Sequence, residues 1–180
     1  MDRVSGTIAR HELGPAPRNQ LADVPAPTPI VRRMTDETIA CAECGAGGDL
    51  GACVDLFHGL LALDHQRLQP WGSFHGLNVA CYFLQHPTQT SAAVLGGQWQ
   101  VVTTFLAQGL DAVHTLEADL VRANRRKAGP LPSFDPPPAR SAPAAVTIAD
   151  LSVDGTFPAD GYEARILEWA RSIRAERTPA

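Results

Sequence analysis

Cys41 and Cys44 are separated by two residues and followed by Gly45, a spacing that turns two thiolates toward one metal ion. Backbone N–H groups of so tight a turn can also hydrogen-bond to the sulfurs. Cys53 offers a third soft ligand nine residues on. Zinc completes a tetrahedron with four ligands, so the source of the fourth decides between a closed structural site and an open one. His86, Cys81, His75 and a water molecule are the candidates. A second pattern pairs His75 with Asp64, since a carboxylate beside an imidazole can orient it for proton transfer. The same Cys41/Cys44 pair also admits thiol redox chemistry, although no βαβ pattern surrounds it.

The elements that must hold these residues read as helices. Val54, Phe57, Leu60, Leu61 and Asp64 share a face of a helix over about 52–67, which Pro70 ends. Trp71-Gly72-Ser73 then forms a turn into a second helix from about Phe74 to Gln85. Apolarity nearly all round marks this helix as the buried centre of a bundle. His86 precedes Pro87, which disfavours helical geometry and closes the element. In an antiparallel hairpin of the two helices, Cys53 lies level with His86 and Asp64 level with His75. Eleven residues bring the two histidines onto one face but about 16 Å apart along the axis, too far to share one ion. Proximity to Cys53 favours His86 as fourth ligand; a helix C-cap is the alternative role for this residue. Cys81 lies on another face and reads as a buried core thiol. His58, His65 and His114 carry no pattern of their own.

Two further helices span about Ala92–Gln108 and Asp111–Lys127, broken at Gly109. Arg122, Arg125, Arg126 and Lys127 cluster at the end of the second, where cations complement the helix dipole. A proline-dense strap over 129–145 follows. Val146 to Val153 reads as an extended segment, strand or short turn, and Tyr162, Ile166, Trp169, Ala170 and Ile173 repeat at helical spacing. The expected fold is therefore all-α, a single-domain bundle of about four to five helices with an N-terminal zinc knuckle. Its parts are a Pro-rich tail over 1–37, a zinc-knuckle core over 38–128, the strap, and a segment over 146–176 whose helix packs on the core. Met34 is a possible alternative start.

Composition excludes several functions. A net charge of −4 and a pI near 5.8 argue against broad phosphate binding, so no nucleic-acid partner is expected. No run reaches the length of a membrane span, and the opening residues, with Asp2, Arg3, Arg10, His11 and Glu12, lack a signal-peptide core. A cytoplasmic location is expected, where a C-x2-C pair serves metal or redox chemistry rather than a structural disulfide. Common catalytic signatures are missing: no G-x-S-x-G, P-loop, dinucleotide fingerprint or H-E-x-x-H occurs.

The run Cys41-x2-Cys44-Gly45, then Cys53, then His75-Gly-Leu77-Asn-Val79-Ala-Cys-Tyr82, then Gln85-His86-Pro87 resembles a bacterial family of uncharacterised small proteins. The resemblance covers about a quarter of the chain. It departs at Ala80, where members often carry Asp, and at Gln98-Trp99, where many carry a further histidine. It implies a helical, metal-binding protein, names no substrate, and supports roles for His75 and His86.

Three functions follow as expectations. The first is a protein with a structural Cys3His Zn2+ site, acting as a binding or accessory module toward an unknown small molecule or protein. The second is a small metalloenzyme, hydrolytic or a tailoring step in bacterial secondary metabolism, using an open metal position or the His75/Asp64 pair. The third is a thiol redox protein.

Overall fold

The computed structural model describes residues 40–126 and 132–177, and within them the fold is all-α. The 1–37 tail and Met34 lie outside the described residues, as do Lys127 and the first residues of the strap. Six helices follow one another: α1 (Cys53–His65), α2 (His75–Gln85), α3 (Ala92–Gln108), α4 (Leu110–Arg126), the single-turn α5 (Ile148–Leu151) and α6 (Tyr162–Ala175). No strand forms among the described residues; Val153 and Thr156 make one isolated antiparallel bridge.

The central helix is α2, which packs against α1, α3 and α6. Leu77, Ala80, Cys81 and Leu84 have no exposed surface, as the all-round apolarity of this segment requires. The inner face of α1 is one step off the expected one. It buries Leu56 with Cys53, Phe57, Leu60 and Asp64, and leaves Val54 exposed. Val54 and Leu56 are two residues apart and so diverge around the helix; packing decides which of them goes inside. On α6 the expected stripe of Tyr162, Ile166, Trp169, Ala170 and Ile173 is completely buried.

Between α4 and α6 the chain does not stay extended throughout. Thr147 and Asp150 form a reciprocal capping box that nucleates α5, with Ile148 and Leu151 in the core. Residues 132–147 have no regular structure and cross α3 at Gly96. A Cβ on Gly96 would lie 2.7 Å from the Phe134 carbonyl oxygen and 2.9 Å from that of Asp135, so the close approach of two backbones requires glycine there. Neighbouring Gly97 meets only the Phe134 ring, at ordinary contact distance.

One buried polar network joins the end of α2 to α6. Gln85 donates to the Val146 carbonyl (2.8 Å) and to Glu176 Oε1 (2.9 Å), and accepts from Trp169 Nε1 (2.9 Å). Glu176 Oε2 faces Arg140 Nε at 3.1 Å and Arg177 at 3.6 Å, as ion pairs rather than well-aligned hydrogen bonds. Arg140, from the strap, also donates to the backbone carbonyls of Glu43 and Gln85. A carboxylate this deeply buried is costly unless paired.

Two outcomes test this packing by chemical denaturation. Gly96→Ala should destabilise the fold by about 1–3 kcal/mol because backbone must move, whereas Gly97→Ala should be neutral or slightly stabilising. Glu176→Ala, which strands Arg140 and Arg177, should cost about 3–5 kcal/mol.

Candidate metal centre and cleft

The knuckle is built by its own backbone. Gly45 N–H donates to the Cys41 carbonyl and Cys41 N–H to the Ala46 carbonyl, both at 2.8 Å. Gly45 takes a positive φ of 78°, the reason glycine closes the motif. Ala46 N–H points at Cys44 Sγ (3.5 Å). Cys53 is the first residue of α1, where the helix dipole favours a thiolate.

The structure brings Cys41, Cys44, Cys53 and His86 together, with one ligand atom from each and all four atoms within 4.8 Å of one another. Cys44 Sγ is 3.5 Å from Cys53 Sγ, and Cys41 Sγ is 3.6 Å from His86 Nε2. The edges of a zinc tetrahedron with Zn–S of about 2.3 Å and Zn–N of about 2.0 Å are roughly 3.5–3.8 Å. The group thus has the dimensions to hold a metal ion. All four cysteines are free thiols, and Cys81 is buried in the core as expected of it.

His86 is prepared for ligation by its surroundings. Its Nδ1 donates to the Tyr82 carbonyl (2.9 Å), leaving Nε2 with its lone pair toward the sulfurs. The ring stacks on Tyr82 at 4.2 Å, and Tyr82 stacks on Phe57 at 3.8 Å, so the imidazole is held as the outer member of a three-ring stack. Burial lowers the His86 pKa and keeps the imidazole neutral. Burial pushes the Cys44 and Cys53 thiols up, the direction in which a thiol keeps its proton unless a cation takes its place. Burial acts on Cys41 in the same sense, but N–H groups of Cys44 and Glu43 outweigh it and the net shift is downward.

At the other end of the hairpin, His75 Nδ1 lies 3.0 Å from Asp64 Oδ2. Asp64 is 1 % exposed at its side chain while His75 is 61 % exposed, so a buried carboxylate orients an accessible imidazole. Asp64 Oδ1 has no hydrogen-bond partner among the described residues. His75 borders a cleft of about 490 Å³ between α2, α3 and α4. Its walls are chiefly apolar, with Val79, Val94, Val101, Leu120 and Phe134, and Gln98 and Glu117 supply polar groups. Periodicity of α4 alone gave no hint of Glu117. The usable signal was Gly76, since a Cβ there would collide with the Glu117 carboxyl. His114, which carried no pattern, binds the Ser73 carbonyl at 2.8 Å.

The class this fold and site define is a small helical-bundle protein with a Cys3His group fit for a metal ion. The chain belongs to a family of unknown function, DUF5946, whose model matches residues 39–178. Neither a curated protein nor a solved structure matches it. Among the described residues no helix is long and apolar enough to cross a membrane.

Burial raises the Glu117 pKa above the ordinary carboxylate value, against the opposing influence of His114 and His75. The folded state then binds more protons than the unfolded one between the two pKa values, so Glu117 costs stability as pH rises out of the carboxylate range. Glu117→Gln should abolish that component: the difference in Tm between variant and wild type should grow in the variant's favour from about pH 4 to about pH 7.

Proposed function

We propose that the chain is a zinc-binding helical protein whose Cys3His site is structural and whose bundle acts as a binding or accessory module. The observation that carries this reading is the convergence of Cys41, Cys44, Cys53 and His86 from three separate stretches of chain. Four protein ligands fill a tetrahedron and leave no position for water or substrate. Three thiols with one imidazole are the donor set that zinc prefers among abundant divalent ions. A redox role for Cys41 and Cys44 requires neither Cys53 nor His86, and their presence favours the metal. The ion would tie the knuckle to the start of α1 and the end of α2, contributing folding energy directly. In this reading residues 38–128 are the core, and the 129–145 strap holds the knuckle through Arg140.

A second reading is supported by the 3.0 Å His75–Asp64 pair at the edge of the cleft. There the zinc remains structural, and His75 acts as general base or acid on a bound molecule. It requires that His75→Ala abolish turnover in a panel of small esters and amides without loss of metal.

Elemental analysis of the purified protein should find one zinc per chain. Cobalt substitution should give the visible absorption of a tetrahedral thiolate site. Chelation, or Cys53→Ser, should lower Tm on the order of 10 °C or more, since loss of a structural zinc removes several kcal/mol. A protein purified without metal, and unresponsive to added zinc, would overturn the reading.

A further inference from the structure

The cleft between α2, α3 and α4 has a polar end that the metal centre does not explain. Glu117, on α4, reaches across to α2 and lays its carboxyl over the backbone at Gly76, in space that any side chain there would fill. Gly76 is the second residue of α2, an 11-residue helix, so the carboxylate sits where the helix dipole favours negative charge. Glu117 is half-buried, yet it makes no hydrogen bond or ion pair with any described residue. The two imidazoles whose charge acts on it are engaged elsewhere: His75 Nδ1 on Asp64, and His114 Nε2 on the Ser73 carbonyl.

The rest of the lining sets the kind of ligand. Val79, Val101, Leu120 and Phe134 form an apolar wall, and Val94 and Val121 are left 42 % and 49 % exposed on its rim. Among the described lining residues Glu117 is the one carboxylate, none is a lysine or arginine, and the positive charge near it comes from the His75 and His114 imidazoles. The volume of about 490 Å³ falls within the range of small-molecule sites. A lone carboxylate at the end of an apolar groove repels anions and leaves a neutral apolar ligand's binding incomplete. A ligand with a positive end satisfies it.

We propose that this cleft binds a small organic cation, an ammonium group on an apolar body, with Glu117 as its counter-ion. The ammonium donates to the Glu117 carboxylate above Gly76 and the apolar body lies along Val79, Val101 and Leu120. His75, oriented by Asp64, borders the same end and contacts the polar head. The proposal is independent of the Cys3His group, which lies at the opposite end of α2.

The test uses the full chain with n-hexylamine, 1-hexanol and hexanoate at neutral pH, followed by methyl NMR. Hexylammonium should shift the methyl resonances of Val79, Val94, Val101 and Leu120 and bind about ten-fold or more tightly than hexanol, as a partly desolvated charged hydrogen bond supplies. Glu117→Gln should erase that preference and leave hexanol binding unchanged. Gly76→Ala, which keeps the charge but turns the carboxyl aside, should weaken hexylammonium as well. Equal binding of amine and alcohol overturns the proposal, as does tighter binding of hexanoate, shifts that map outside the cleft, or no binding by any probe. Should Glu117→Gln fail to fold, the ranking of the three probes on the wild type and the Gly76→Ala result decide the matter.

Discussion

A carboxylate enclosed by protein must be paired, and the way Glu176 is paired organises much of this molecule. Glu176 follows α6 directly and is nearly inaccessible. Two of its partners come from far along the chain, Gln85 at the end of α2 and Arg140 from the strap, and a third, Arg177, is its neighbour. Arg140 cannot serve Glu176 without also presenting its other N–H groups, and these take the carbonyls of Glu43 and Gln85. One ionic requirement thereby brings the strap, the knuckle, α2 and α6 into register. Replacing such a network with apolar residues need not cost stability, whereas removing one partner does. Its value here is in specifying one arrangement of a proline-dense segment that has no helix or strand to define its path.

Much of the architecture was legible because its signal is local or periodic. The α6 stripe, the break at Gly109 and the enclosed character of α2 follow from spacing alone. Hairpin geometry also placed Cys53 by His86 and Asp64 by His75, since helix rise fixes which residues lie level. What stayed hidden depends on contacts between distant segments. Leu56 rather than Val54 turns inward because of packing, and the mini-helix α5 exists through a two-residue side-chain exchange at Thr147 and Asp150. Glu117 carries no motif or spacing that sets it apart from the other charges of α4. Gly76 and Gly96 lie inside helices, and each marks a place where another part of the chain comes close.

Metal centre and cleft draw on the same helix in different ways. At its C-terminal end α2 contributes His86, held by the Tyr82 carbonyl and a stack of aromatic rings. At its N-terminal end it contributes His75, held by a carboxylate and left accessible. Two histidines eleven residues apart thus have opposite environments: one buried and neutral among sulfurs, the other accessible beside an apolar groove. The two histidines of one helix are thus given to separate groups, at opposite ends of the hairpin.

The hairpin therefore answers to different reagents at its two ends. Three cysteines and an imidazole form a soft, oxidisable group, so peroxide, electrophiles or soft metals act on the knuckle. Asp64, His75 and Glu117 offer only oxygen and nitrogen donors, with no sulfur for peroxide to oxidise. If the Cys3His group holds a structural metal, oxidation of its cysteines would loosen the tie between the knuckle and the hairpin, at the end of α2 remote from His75.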